Sequence, residues 1–228
     1  MMYKKILVTN IFLLFLLSAI HLPLFAQDNA KLIEYIMYQE FDKAKELINN
    51  GADVNYQDES TGSTALMLAC QYNFAGMVSF LIDHGANLNL QADNGTTALM
   101  AVAGTSEDLF DLLLSKGADF KIKAGDGTTA LTQACIGIMR EKVPLAVVQK
   151  LLDKGADANE APNDGPAGGY TCLMMAARNN QPDLVKLLVS NGADVNKKAK
   201  DGKSALDLAK EENDEEMITI LKSLGAEK

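Results

Sequence analysis

Few residues in this sequence could carry out chemistry. His84 is the single histidine after residue 26, and it precedes Gly85, where a cation would suit the C-terminal end of a helix. One histidine cannot build a His/Cys metal cluster or a Ser-His-Asp triad, and no phosphate-binding loop of the GxxxxGK type occurs. We therefore expect no catalytic residue, no metal and no cofactor, and we predict that the chain is not an enzyme.

Aspartates recur at regular places, and turns explain them better than acid–base chemistry does. Each of four aspartates directly follows a Gly-Ala pair: Asp53, Asp119, Asp157 and Asp194. An aspartate side chain can bond the backbone two residues further on, which favours a turn. We expect these carboxylates to shape the backbone.

The charge balance argues against nucleic acid as a partner. The net charge is −9 at pH 7, and removing residues 1–26 takes away Lys4 and Lys5 but no acidic residue, which leaves −11. The longest basic run is the interrupted sequence Lys197 to Lys200. Such a chain repels phosphate backbones. Its acidity fits either plain solubility or the attraction of a basic partner.

The first 26 residues predict a signal peptide. Lys4 and Lys5 are followed by an apolar stretch from Ile6 to Ile20, and Ala26 places a small residue before Gln27. Cleavage after Ala26 would yield an exported protein, periplasmic or secreted, without membrane contact. The alternative is an uncleaved membrane anchor, because residues 6–25 approach the ~20 apolar residues that span a bilayer.

The elements that would position side chains follow from an internal repeat. Gly-Ala recurs from Gly51 to Gly225 at steps of 34, 32, 38, 37 and 33 residues. In the same phase, a hydroxyl residue precedes a short apolar run at Thr64, Thr97, Thr129, Thr171 and Ser204. The hydroxyl residue suits an N-cap and predicts a first short helix in each unit. A broad apolar stripe, as in 184–189, predicts a second helix that ends at the glycine.

These patterns resemble the ankyrin-repeat family over about residues 28–228. Thr-Ala-Leu-Met at Thr64 stands for the family's Thr-Pro-Leu-His, and Gly-Ala-Asp-Val-Asn is intact at 51–55 and 192–196. The resemblance implies a mainly α solenoid of about six helix-turn-helix repeats joined by β-hairpin fingers. It also implies that the chain binds a protein partner, of an identity that the family leaves open.

We divide the chain into a signal peptide, 1–26, and one ankyrin-repeat domain, 27–228. The repeats are placed at about 28–57, 58–91, 92–124, 125–161, 162–199 and 200–228. The first and last are atypical, as expected of the ends of a stack. We expect the domain to be a monomer.

Two departures from the period mark individual features. The span from Thr129 to Gly155 is 26 residues, against 21 from Thr64 to Gly85, which predicts about five extra residues near 138–143, between the helices. The finger at 161–169 is longer by four residues. Surface insertions in a solenoid serve either binding or neutral drift. We leave both open for the finger and favour drift at 138–143.

The three cysteines are expected to stay unpaired. Cys70 and Cys135 hold the same place in repeats two and four, so at ~8–10 Å per layer they would lie roughly 16–20 Å apart, beyond the ~7 Å bridging limit. Cys172 lies one layer from Cys135 and about six residues along the helix rise. We therefore expect all three to fill small-residue places in the core.

The leading function is protein binding on a concave surface of fingers and inner helices. The repeat register places twelve candidate residues there: Tyr56, Gln57, Asp58, Gln71, Tyr72, Leu90, Gln91, Ile122, Lys123, Asn163, Arg178 and Asn179. Tyr56, Tyr72 and Arg178 are preferred, since Tyr and Arg are frequent interface anchors. The alternative is an inhibitor, an immunity-type or a protective regulator of one envelope enzyme or toxin.

Overall fold

A computed structural model of the chain describes residues 29–163 and 168–227. The predicted signal peptide and residues 164–167 of the long finger lie outside this described part. Within it, six pairs of α-helices follow one another, each pair joined by a short turn. The inner helices are α1 (29–37), α3 (Ala65–Gln71), α5 (Ala98–Ala103), α7 (Ala130–Met139), α9 (Cys172–Arg178) and α11 (Ala205–Glu211). Their outer partners are α2 (Phe41–Asn49), α4 (Ala75–Asp83), α6 (Glu107–Ser115), α8 (Leu145–Asp153), α10 (Pro182–Ser190) and α12 (Glu215–Ser223). The predicted solenoid of six repeats is confirmed.

Hydroxyl side chains begin the inner helices of repeats two to six. Thr64, for example, accepts a hydrogen bond at 3.2 Å from the backbone N–H of Met67. The same bond forms at Thr97, Thr129, Thr171 and Ser204. All five caps are buried, so they satisfy helix N–H groups that water cannot reach. The N-caps expected from the sequence are confirmed.

A glycine in the left-handed conformation ends each outer helix. Its φ lies between 85° and 99° at Gly51, Gly85, Gly117, Gly155, Gly192 and Gly225. A residue with a Cβ adopts this conformation at a cost. This explains why Gly-Ala marks the period of the sequence.

The core runs along the stack between the two layers of helices. Each inner helix buries at least one leucine, as in Leu66 and Leu131, and so does each outer helix from α4 onwards, as in Leu81 and Leu151. Helix α2 buries Ile48 instead. Neighbouring inner helices pack on each other as well as on their own outer helix. Because inner helices pack so closely along the stack, we take their side as the concave side.

The fingers are turns rather than β-strands. Hydrogen bonds across single turns close them, such as Ala92 N–H to Thr96 O at 3.0 Å and Ala124 N–H to Thr128 O at 2.8 Å. In the described residues the one β-bridge joins Gln57 and Thr64. Each finger has too few paired residues for a strand, so the predicted β-hairpins are present only in the form of turns.

The extra residues of repeat four extend a helix as well as a loop. Helix α7 has ten residues, whereas α3, α9 and α11 have seven each. Ile138 and Met139 therefore belong to α7, and not to a connection between helices as we expected. The added turn passes Gly104 at the end of α5, where a Cβ on Gly137 would lie 2.6 Å from the Gly104 Cα. The insertion thus depends on two facing glycines.

Asparagine side chains join successive repeats beside the outer-helix ends. The Asn159 side chain accepts from the Asp194 N–H at 2.8 Å and donates to Gly192 O at 2.9 Å. Asn55 and Asn196 bridge their junctions in the same way. Lys121 holds this place between repeats three and four. That junction therefore lacks the asparagine bridge.

The structure places Cys172 beside the helical turn that precedes Cys135. The Cys172 Sγ lies 3.9 Å from the carbonyl oxygen of Leu131, one helical turn before Cys135. Because a helical side chain leans back over the preceding turn, we expect the Cys135 side chain to extend towards this carbonyl. All three cysteines are buried and free.

None of the helices in the described part of the chain is long and apolar enough to cross a membrane.

Candidate functional site

Backbone hydrogen bonds join the fingers into one continuous row. The Asp93 N–H donates to Thr61 O at 3.0 Å, and the Gly125 N–H donates to Asn94 O at 2.9 Å. The row continues from Asn163 N–H to Asp126 O at 2.6 Å and from Lys200 N–H to Gly168 O at 3.2 Å. Each finger is therefore held by its neighbours, and the row presents its side chains as a rigid edge.

Gln57 and Gln91 hold neighbouring fingers together through their side-chain amides. The Gln57 Nε2 donates to Gly62 O and to Gln91 O, both at 2.8 Å. The Gln91 Nε2 donates in the same way to Gly95 O at 2.9 Å and to Lys123 O at 3.0 Å. Both side-chain N–H groups are thus used within the fold. What remains for a partner is the exposed amide oxygen of each residue.

Tyr56, Leu90 and Ile122 occupy one equivalent place in successive repeats. All three are half-buried, and Tyr56 and Leu90 pack against the core. Desolvation and the nearby carboxylates of Glu59 and Asp58 raise the pKa of Tyr56. These side chains offer a partner their edges rather than their full surface.

Asp58, Lys123 and Asn163 lie on the finger edge. The Asp58 Oδ1 accepts from the Ser60 N–H at 3.1 Å and from the Thr61 hydroxyl at 3.1 Å. The Ser60 hydroxyl also donates a hydrogen bond to Asp58. This bond, together with the bonds from the Ser60 N–H and the Thr61 hydroxyl, lowers the pKa of Asp58. Lys123 and Asn163 are exposed, and the Lys123 Nζ pairs with Glu160 at 3.1 Å. This edge therefore carries both signs of charge.

Gln71, Tyr72, Arg178 and Asn179 lie at the C-terminal ends of α3 and α9, and all are exposed. The Arg178 Nε lies 3.3 Å from Glu212 Oε1 in the next repeat. Since both partners are about half exposed, this ion pair adds little stability and its charges stay open to water. The Tyr72 ring stacks on Phe74 with a centroid distance of 5.7 Å.

Two exposed apolar side chains of the first repeat extend this surface. Met37 is 52% exposed and Tyr38 71%, compared with 48% for Tyr72. Tyr38 and Tyr72 each directly follow an inner helix, so they hold the same place in neighbouring repeats. We call Met37, Tyr38 and Tyr72 the aromatic edge. Periodicity in the sequence does not identify Met37 and Tyr38, because repeat one lacks the hydroxyl cap that fixes the register elsewhere.

One half-buried place on the inner helices of repeats two to five holds only uncharged side chains. The place four residues after the cap is taken by Leu68, Ala101, Gln133 and Met175. Helical spacing puts Leu68 on the same face as Gln71 and Tyr72. Beside Gln133, a polar groove lies between the fingers that open repeats three and four. Asn94, Thr96 and Asp126 are among the residues that line it. The face is therefore apolar near repeat two and polar at the middle fingers.

The structure gives His84 a local role. It directly follows α4, its Nδ1 lies 2.8 Å from Phe80 O, and its ring stacks on the Phe80 ring. Within residues 29–163 and 168–227, no three His, Cys, Asp or Glu side chains are grouped so that they could hold a metal ion.

Stacked helix pairs with finger turns on one side define a helical-repeat binding module. A family model described as ankyrin repeats matches residues 32–124, 101–199 and 138–228. The chain belongs to the ankyrin-repeat family.

Three curated relatives illustrate the range of the similarity. The putative ankyrin repeat protein YahD of Escherichia coli (strain K12) is 32% identical over 82% of this chain and 92% of its own length. The ankyrin repeat and KH domain-containing protein mask-1 of Caenorhabditis elegans is 27% identical over 87% of this chain, but over 7% of its own length. The human 2-5A-dependent ribonuclease is 37% identical over 35% of this chain and 11% of its own length. The similarity to the two longer proteins is thus confined to a small part of each.

Proposed function

We propose that this chain is an exported binding protein without catalytic activity, which recognises a partner protein through its concave face. The observation that carries the proposal is the aromatic edge. Met37, Tyr38 and Tyr72 are the large hydrophobic side chains left exposed in the described residues, and Tyr38 and Tyr72 are one helix layer apart. Tyrosine and methionine are enriched in protein interfaces and costly to leave in water.

The proposed surface runs from the aromatic edge to the charged pair of Arg178 and Glu212. Its apolar end suits an apolar side chain of the partner, whereas the other end suits a polar or charged one. The linked fingers form the rim of the same surface. A rigid surface lowers the ordering cost of binding, which favours this face over a mobile one.

Export rests on the N-terminal segment and is part of the proposal. We propose that cleavage after Ala26 releases a monomer into the periplasm or the medium. N-terminal sequencing of the protein from its host tests this, with Gln27 as the expected first residue. A first residue at Met1 would instead support an uncleaved anchor.

Capture from envelope extracts tests partner binding. The wild-type chain and a Tyr38→Ala/Tyr72→Ala variant serve as baits, with Lys186→Ala on the exposed side of α10 as the control. We expect one protein to be retained by the wild type and the control but lost from the double variant. Equal retention by all three baits would remove the aromatic edge from the site.

The second candidate function is inhibition or protection of an enzyme, for which a rigid concave face is equally suited. An activity assay on the captured protein separates the two. A change in its activity on adding this chain indicates a regulator, and unchanged activity indicates a scaffold.

A further inference from the structure

Two buried cysteines face each other across the junction between repeats four and five. Cys135 belongs to α7 and Cys172 is the first residue of α9, and these two helices pack together. Both side chains are 0% exposed. The Cys172 Sγ lies 3.9 Å from Leu131 O, one helical turn before Cys135, and helical side chains lean back over the preceding turn. The two thiols therefore share one pocket in the core.

The pKa of Cys135 agrees with this placement. Burial and the neighbouring Cys172 thiol together raise the pKa of Cys135 well above its usual value. A thiol that stays protonated is a poor nucleophile, so the folded protein protects this pair from rapid reaction. Reaction requires a chain in which repeat five has not yet packed onto repeat four, or has opened from it.

The other repeat junctions provide a comparison within the same chain. The places equivalent to Cys135 and Cys172 hold one cysteine and one alanine at one junction, Cys70 and Ala98. They hold two alanines at the next and at the last, Ala103 with Ala130 and Ala177 with Ala205. Small apolar residues are thus what the packing demands. Two cysteines meet at one of these four junctions alone.

We propose that Cys135 and Cys172 are a disulfide-forming pair that cross-links repeats four and five when the chain folds in the presence of a disulfide oxidant. In the reaction the two thiols lose two protons and two electrons, and the oxidant's S–S bond is reduced to two thiols. A new Cys135–Cys172 S–S bond forms by thiol–disulfide exchange. The bond would fix the junction from which the long finger at 161–169 emerges.

The test is to refold the full chain in a glutathione redox buffer and then block the remaining thiols with an alkylating agent. Trypsin separates the three cysteines into peptides 46–116, 124–140 and 155–178. We expect 124–140 to be linked to 155–178, with Cys70 alkylated in 46–116. Because the thiols are exposed before the chain folds, burial cannot prevent the oxidant from reaching them in this experiment. Alkylation of both Cys135 and Cys172 after refolding would overturn the proposal, and so would a link that involves Cys70 just as often.

Thermal unfolding provides a second readout. The link closes a loop of 36 intervening residues, and we expect it to raise the thermal midpoint by about 5–10 °C, reversibly on adding a reductant. The matched controls are Cys135→Ala and Cys172→Ala, which place at this junction the residue that the chain carries at others. Neither control should respond to the oxidant. A wild-type midpoint that is the same with and without reductant would contradict a cross-link between these repeats.

Discussion

At the residue scale, side chains that recur in the sequence serve the stack before they serve a partner. Gln57 and Gln91 illustrate this, since the repeat register predicts them as binding residues, whereas their amide nitrogens join fingers to one another. Asn159 likewise bridges two repeats with both of its polar atoms. A residue that recurs with the period is therefore a weaker candidate for partner specificity than one that appears once, such as Arg178.

The asparagine bridges predict opposite effects at two equivalent places. Asn159→Ala removes two hydrogen bonds between repeats and should lower the free energy of unfolding by about 1–2 kcal/mol. Lys121→Asn adds the missing bridge between repeats three and four and should raise it by up to about 1 kcal/mol. Urea unfolding of both variants measures the change. Equal effects of the same sign would contradict a bridging role.

Sequence periodicity could predict the caps, the glycine ends and the helix pairs, because each is set by a local residue type. Thr64, Gly85 and Leu66 all lie where the pattern puts them. It could not predict that Cys135 and Cys172 share a pocket, because that depends on how side chains lean between neighbouring helices. Nor could it find Tyr38, whose repeat lacks the cap that sets the register.

At the element scale, the insertion in repeat four shows how a solenoid takes up extra residues. Helix α7 grows by about one turn, and its added turn needs the close approach of Gly137 to Gly104. The helix is continuous through Ile138, which is buried. Most of the extra length is therefore packed into the stack, and the rest lengthens the connection to α8.

Two glycine substitutions test this packing. Gly137→Ala should lower the free energy of unfolding by about 1–3 kcal/mol, because the new Cβ meets backbone atoms of Gly104 at 2.6 Å. Gly76→Ala is the matched control in α4, where a Cβ meets nothing within 4 Å. It should stabilise the protein by up to about 1 kcal/mol through helix propensity. Thermal or urea unfolding measures both, and a neutral Gly137→Ala would show that α7 can move away from α5.

The long finger is tested by two deletions that differ by one residue. Asn163 donates its N–H to Asp126 O and accepts at its carbonyl from the Lys200 ammonium group. Deleting 164–166 spares these bonds, and we expect an unchanged thermal midpoint with a partner complex weakened by about 1 kcal/mol or more. Deleting 163–166 should lower the midpoint as well. Unaltered affinity after the first deletion would assign the insertion to drift.

At the scale of the whole molecule, a rigid stack presents the one face that we propose for binding. Inner helices pack closely along the stack, fingers are hydrogen-bonded in a row, and the aromatic edge lies at one end of the surface they form. Because each repeat is supported by its neighbours, the partner meets a surface that is already ordered. Affinity should then depend on a few exposed side chains rather than on a change in fold.

Calorimetric titration of the captured partner into four forms of the chain tests this claim most directly. The forms are the wild type, Tyr38→Ala/Tyr72→Ala, Tyr72→Ala/Arg178→Ala and the outer-face control Lys186→Ala. We predict that both double variants weaken the complex by about 2 kcal/mol or more, roughly thirtyfold in Kd, with unchanged thermal midpoints, and that the control binds like the wild type. Wild-type affinity in both double variants would contradict binding through the concave face.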